Sequence, residues 1–282
     1  MKSTKKANFT IHLVLIVFTL ITLFPLIYVI MASFKTNMEI LTNPSAIFPK
    51  EPTFKNYLDV WHSDVFDIKR MLFNSTYYTV FIVACTILTS AMSGYVFAVG
   101  QFRGKGFWMA MFSITMFFSM GSVTIYPLLK ILNFIHIPKS LPGLMVIKIF
   151  TVSIINVYLV RGYVYSLPNQ IIEAAKIDGC GFFGSFFKII FPLLKPVLAT
   201  IGILGFQGSW NEYLLPMIFT LGDPKQRPLI VGVIALSKSG EAAASYNLVF
   251  AGTVLSLVPV LIAYLAGNKY FVSGISAGAV KG

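Results

Sequence analysis

The chain has 282 residues, 56% of them hydrophobic and only 11% charged. A water-soluble domain carries about 25% charged residues, so this composition excludes an ordinary soluble core and points to a lipid bilayer as solvent. The net charge of +12 would suggest nucleic acid as the partner of a soluble protein. Here the basic residues are scattered over loops with no basic helix face, so lipid headgroups suffice as the acidic partner and no nucleic acid is expected.

In chain order, Lys2, Lys5 and Lys6 precede an apolar stretch over residues 11–32. It exceeds the apolar core of a signal peptide, about 7–15 residues, and ends without an Ala-x-Ala site, so it reads as a retained first span. Pro25 is expected to kink it, which neighbouring helices tolerate in a membrane. Residues 35–70 form the longest polar segment, with acids and bases in balance, Pro44, Pro49 and Pro52 marking turns and a short helix expected near Phe54 to Trp61. The spacing predicts a second span over 71–99, with Ser90, Ala91, Ser93 and Gly94 suited to close helix packing. A tight turn with Arg103 and Lys105 leads to a third span over 107–129, begun by Trp108 as an interfacial anchor. The fourth span, 141–160, contains Lys148. A lysine at mid-bilayer costs about 2.5–3.5 kcal/mol, so Lys148 is expected to snorkel to the near headgroups rather than serve a transport path.

Residues 161–195 are too polar and too broken to cross. Pro168 opens a helix, Asn169 or Ser166 can cap it, and Gln170 to Asp178 give about two and a half turns. Glu173 and Ile177 share a face, as do Ala174 and Asp178. Ala174 and Ala175 leave room for a partner, and Gly179 ends the helix. A second short segment runs from Phe182 to Ile190 and stops at Phe191-Pro192. The whole reads as a helix-turn-helix elbow.

Glu173-Ala174-Ala175, Gly179, Ile189 and Phe191-Pro192, at spacings of three, nine and one residue, resemble the EAA loop of permease subunits in binding-protein-dependent ABC importers. The chain departs at Phe191, where Leu is usual, and at Cys180-Gly181, where Ala-Ser is common. The resemblance implies that Glu173, Ala174, Ala175, Asp178, Gly179 and Pro192 couple the chain to a separate ATPase. Glu173 would pair with a basic residue there.

A fifth span, 196–221, carries Glu212, the only acidic residue within any span. An intramembrane carboxylate is a functional candidate. Gln207, Asn211 and Glu212 lie roughly on one face with Gly208 beside them, a stripe that lines an aqueous cavity or, alternatively, glues helices by hydrogen bonds. Trp210 and Tyr213 can stack on a sugar. Trp210-Asn211-Glu212-Tyr213 and Pro216 resemble the fifth span of maltose-type carbohydrate permeases, and Phe48-Pro49, Pro52-Thr53 and Asn56-Tyr57 resemble their first outer loop. Residues 222–245 read as a polar loop with an apolar centre too short to span. In the maltose-type family the matching loop reaches into the solute-binding protein. The sixth span is 246–267, and the ending from Gly274 to Gly282 resembles a tail that dips between the ATPase subunits.

The expectation is therefore an all-α integral membrane protein, a single importer transmembrane domain over 1–282. It has six helices and a cytoplasmic elbow between the fourth and fifth. Of the 22 Lys and Arg, 11 fall on the expected inside and the other 11 outside or in the fourth span, so the orientation, with both termini cytoplasmic in a bacterial-type cell membrane, follows from the resemblance. So does the maltose-type second membrane subunit, with its second permease, two ATPase subunits and extracytoplasmic binding protein. No P-loop occurs, so ATP and Mg would sit in the partner, and no catalytic cluster points to an enzyme. Cys85 and Cys180, and His12, His62 and His136, have no metal-site spacing. The alternatives are a permease for another solute such as glycerol-phosphate, or a secondary transporter, which should show internal repeats and mid-membrane charges.

Overall fold

The computed structural model describes residues 2–63, 66–117, 121–238 and 245–279. Every regular element among them is helical: α1 Lys2–Ala32, α2 Asn37–Thr42, α3 Lys55–His62, α4 Ile68–Val99, α5 Lys105–Phe117, α6 Ile125–Phe134, α7 Leu141–Ile149, α8 Ile154–Ser166, α9 Asn169–Ile177, α10 Phe182–Ser185, α11 Phe191–Leu193, α12 Lys195–Trp210, α13 Leu214–Phe219, α14 Leu229–Lys238 and α15 Tyr246–Ala279. Three stretches are long and apolar enough to cross a bilayer, Ile11–Ala32, Ile68–Val99 and Tyr246–Gly267. Two bent helix pairs among the described residues pass the same test when taken together, α7 with α8 at 41° and Phe182–Leu193 with α12 at 75°.

Three expected spans are therefore not single helices. Residues 107–129 divide into α5, a 3-10 turn at Gly121–Thr124 and α6. Gly121 stands at φ +49°, a conformation that ends a helix and that glycine adopts without steric cost. Residues 141–160 break between Ile149 and Ile154. Residues 196–221 break at Asn211–Tyr213, because Pro216 has no N–H for the carbonyl of Glu212 and its ring crowds that carbonyl. Pro25, by contrast, lies inside an unbroken α1. The expected loop 222–245 contains a 3-10 turn at Pro224–Gln226 and the helix α14.

The chain packs as two units. The first comprises Met1–Met71 and Leu229–Val258. Its helix α1 exposes Ile11 to Phe24 on all sides, as a segment facing lipid or protein does. After α1 the chain turns, and Lys35 is buried with its Nζ donating to the carbonyl of Ala46, over the ring of Tyr28. Asn56, in α3, holds this turn. Its Nδ2 donates to the carbonyls of Ser33 and Lys35, both at 2.8 Å, and its Oδ1 accepts from Asn247 Nδ2 at 2.8 Å. Val60, Phe66, Ile68, Leu229, Val231 and Ala251 are buried in this unit.

The second unit comprises Leu72–Pro228 and Pro259–Gly282. It has two apolar clusters. One gathers Tyr78 and Ile82 of α4, Leu132 of α6, Leu141, Leu144 and Met145 of α7, and Phe219 of α13. The other gathers Ala91 and Tyr95 of α4, Val160 and Val164 of α8, Phe186, Ile190, Leu194, and Val197, Leu198 and Ile201 of α12. Helix α4 runs unbroken through both, whereas α7–α8 and α12–α13 each break between them. Helices α4 and α8 meet closely at Gly94. A Cβ there would lie 2.5 Å from Val160 Cβ and 3.2 Å from the backbone nitrogen of Arg161.

Two outcomes follow. Asn56→Ala removes two donors from buried carbonyls, at about 1–3 kcal/mol for each group left unpaired, and should lower the thermal midpoint of the detergent-purified protein. An unchanged midpoint would refute the role of Asn56. Gly94→Leu should sharply reduce the amount of membrane-inserted protein on quantitative blots, whereas Gly162→Ala, where a Cβ meets nothing within 4 Å, should not.

Candidate functional site

The elbow begins where α8 ends at Ser166. The Ser166 hydroxyl donates back to the Tyr163 carbonyl at 2.7 Å, within the last turn of α8. Helix α9 starts at Asn169, directly after Pro168. Its end is built on Gly179 at φ +76°, with the N–H of Cys180 bonded to the carbonyl of Ala175 at 2.9 Å and that of Asp178 to Ala174 at 2.9 Å. This left-handed closure satisfies the last carbonyls of the helix, and a side chain at Gly179 would strain it. Ala175 is buried, while Glu173, Ala174 and Asp178 are exposed. Ile177 is 86% exposed, and Phe183 and Phe187 are exposed beside the turn. A carboxylate next to uncovered apolar side chains suits a partner surface with a groove and a cation.

The second arm does not stop at Phe191-Pro192. It continues from α10 through a π turn at Phe186–Ile190, closed by the N–H of Phe191 on the carbonyl of Phe186, into α11, which contains Pro192. Tyr95 pins this arm to α4. Its hydroxyl donates to the carbonyl of Phe182 at 3.3 Å, and its ring lies 4.7 Å from Phe182 and 5.2 Å from Phe186. Beyond Leu194 the chain bends into α12.

The second group of candidates lies at the far end of α12. Gln207 lines an apolar cavity of about 210 Å3 with Ile203, Phe206, Val260, Leu261, Ala263 and Tyr264. Trp210 is buried and stacked on Phe206, with centroids 5.6 Å apart and planes 12° apart. One face of its ring is therefore taken by Phe206. Asn211 is exposed and donates from Nδ2 to the carbonyl of Gln207 at 2.9 Å. Glu212 does not continue the helical stripe, since α12 ends at Trp210. It sits in the break before α13, followed by the half-buried Tyr213.

Glu212 is instead held by two residues that the sequence reading did not join to it. Lys148 Nζ donates to its Oε1 at 2.7 Å, and the Tyr78 hydroxyl donates to its Oε2 at 2.5 Å. The two charged side chains are 22% and 20% exposed. Lys148 thus has its charge partner within the chain, the Glu212 carboxylate, where the sequence suggested headgroups. The signal was present in the sequence, because Lys148 and Glu212 are the only Lys, Arg, Asp or Glu in the six expected spans. Opposite lone charges in apolar surroundings find each other. Lys148 also stands in the last turn of α7, where the helix dipole favours a cation. Among the described residues no group of three or more His, Cys, Asp or Glu could hold a metal ion.

Comparison with known proteins agrees with this architecture. Residues 87–275 match the family described as binding-protein-dependent transport system inner membrane component. The arabinooligosaccharides transport system permease protein AraQ of Bacillus subtilis is 34% identical over 94% of this chain and 92% of its own length. The diacetylchitobiose uptake system permease protein NgcG of Streptomyces coelicolor is 29% identical, covering 96% and 88%. The sn-glycerol-3-phosphate transport system permease protein UgpE of Yersinia enterocolitica is 27% identical over 94% of each. A chain in the crystal structure of a bacterial ABC transporter involved in the import of the acidic polysaccharide alginate superposes with a TM-score of 0.80 at 25% identity, covering 96% of this chain and 98% of that one. The chain belongs to the family of inner membrane components of binding-protein-dependent transport systems.

Proposed function

We propose that this chain is the second membrane subunit of an ATP-driven importer for a di- or oligosaccharide and forms half of its translocation pathway. The end-to-end similarity to an arabinooligosaccharide permease carries the reading. Similarity to a diacetylchitobiose permease supports the same solute class, and the glycerol-phosphate relative supports the alternative solute. The subunit crosses a bacterial-type cell membrane six times with both termini in the cytoplasm. Its third, fourth and fifth passes are broken helices. Its partners are a homologous permease, two ATPase subunits that hold ATP and Mg, and an extracytoplasmic solute-binding protein. The chain itself holds no cofactor.

The elbow is the coupling element. Glu173 and Ile177 on α9, with Asp178 at its end, present a carboxylate and an apolar knob to a groove on the ATPase. Ala174 keeps that surface slim, the buried Ala175 seats α9 against its own unit, and Gly179 sets the turn. Closure of the ATPase pair shifts α9, and the second arm, locked to α4 through Tyr95, passes the shift into α12 as alternating access requires. Gln207, Asn211, Glu212 and Tyr213 border the pathway, with Trp210 packed behind them on Phe206. The ending at Gly274–Gly282 contacts the ATPase pair. Helix α15 runs to Ala279, and residues 280–282 lie outside the described residues.

A detergent pull-down of the subunit should bring down a second permease and a P-loop ATPase. Glu173→Arg should lose the ATPase and keep the permease. A subunit that purifies alone and moves solute in liposomes without ATP would overturn the reading in favour of a secondary transporter. Gly179→Asp places a Cβ in the left-handed region at about 1–2 kcal/mol and should cut uptake roughly tenfold or more at normal membrane levels. Normal uptake in that variant would refute the coupling role. In competition assays, arabino- and chito-oligosaccharides should displace the transported sugar. Displacement by glycerol 3-phosphate alone would select the other solute class.

A further inference from the structure

The cluster of α4, α7 and α13 is tied by side chains at both ends. At one end Gln226 Oε1 accepts from the N–H of Leu141, the first residue of α7, at 2.9 Å. Beside it Asn74 Nδ2, in the first turns of α4, donates to the carbonyls of Lys225 and Arg227 at 2.9 and 3.1 Å. Asp223 braces this turn, accepting from Lys225 N–H at 3.0 Å and from Gln226 Nε2 at 3.0 Å. At the other end Lys148 of α7 and Tyr78 of α4 grip Glu212. Between the two ends lies the apolar cluster of Tyr78, Ile82, Leu132, Leu141, Leu144, Met145 and Phe219.

Helices α7 and α13 leave this cluster at two non-helical joints, residues 150–153 after α7 and 211–213 before α13, whereas α4 runs on unbroken. Lys148 lies two residues before the first joint and Glu212 lies within the second. The ion pair thus sets the two joints side by side. A chain break frees backbone groups and lets φ and ψ change, as hinges do. Two independent hinges would let α7 and α13 tilt separately, whereas one tie between them makes them tilt together. A buried ion pair is weak evidence of stability, because apolar residues of similar volume do as well. It does specify which segments stay together.

We propose that Lys148 and Tyr78 are positioning residues for Glu212, and that the Lys148–Glu212 pair joins the breaks at 150–153 and 211–213 into one shared hinge, so that α7 and α13 move as one body against the continuous α4. This rests on the importer reading for its orientation only, with the turn at 223–228 outside the cell. Its consequence is local. Loss of the pair loosens the joints and admits water there, while the far brace at Asn74 and Gln226 keeps α7 and α13 folded.

The test uses thiol labelling in intact cells producing the full transporter, in a Cys85→Ser, Cys180→Ser background. Thr151→Cys reports on the first joint, and Lys225→Cys reports on the outer turn. A membrane-impermeant maleimide is the probe. Labelling at residue 151 should rise about twofold or more in Lys148→Met. It should return to the parent rate in Lys148→Arg and in the reversed pair Lys148→Glu with Glu212→Lys, which a merely space-filling role would not produce. Should Lys148→Met fail to accumulate, Glu212→Asp, which keeps the charge and shortens the reach, takes its place with the same rise expected. An unmoved rate at residue 151, or a reversed pair no better than the single variants, overturns the proposal. Absence of labelling at residue 225 in the parent overturns the orientation instead, so the two failures are told apart.

Discussion

Two opposite charges placed among apolar helices constrain the second unit more than any other feature. An isolated Lys148 or Glu212 would carry the desolvation cost of a bare ion in an apolar medium, and each removes that cost from the other. The hydrogen bond from Tyr78 satisfies the second carboxylate oxygen, so all the strong acceptors of Glu212 are engaged. The requirement reaches back into the helices. Glu212 leaves the course of α12 to meet its partners, Pro216 makes that departure inexpensive, and Lys148 stands where the dipole of α7 already favours a cation.

The elbow shows a similar match between local chemistry and packing. Phe186, Ile190 and Leu194 are buried at steps of four residues. In an α-helix each such step drifts about 40° around the axis, from the period of about 3.6 residues. A π turn, with its i to i+5 bond, underwinds the chain and takes that drift back, keeping Phe186 and Ile190 on the face that meets Tyr95. The αL closure at Gly179 and the π turn together aim α9 outward while the second arm stays in the core.

Much of this was legible in the sequence, and the reasons for success and failure are physical. The stretches 11–32, 71–99 and 246–267 are uniformly apolar, and hydropathy alone finds them. Glycine at a helix end gave the turn at Gly179, since no other residue takes a positive φ so readily. The breaks within 107–129, 141–160 and 196–221 were hidden because apolar composition is the same on both sides of a joint. Only Gly121 and Pro216 hinted at two of them. Lys148, taken with its own span alone, has only headgroups to reach for, whereas its partner lies 64 residues further along the chain. Phe206, four residues before Trp210 on the same helix, is a stacking partner that a reading of Trp210 by itself passes over. The apolar centre of 222–245 was too short to span but sufficient for α14.

Helix α12 connects the two groups of candidate residues. It starts at the 75° bend after the elbow and ends one residue before the joint that holds Glu212. Its 16 residues span about 24 Å at 1.5 Å per residue, most of the hydrocarbon thickness of about 30 Å. Val197, Leu198 and Ile201 fix its near end in the cluster of Tyr95 and Phe186. A rod clamped at one end to the elbow and jointed at the other converts a tilt of the elbow into a displacement at Asn211–Tyr213. That displacement cannot be absorbed at Glu212 alone, because the carboxylate is bound to α7 and α4. It must move the paired joints together, or break the pair.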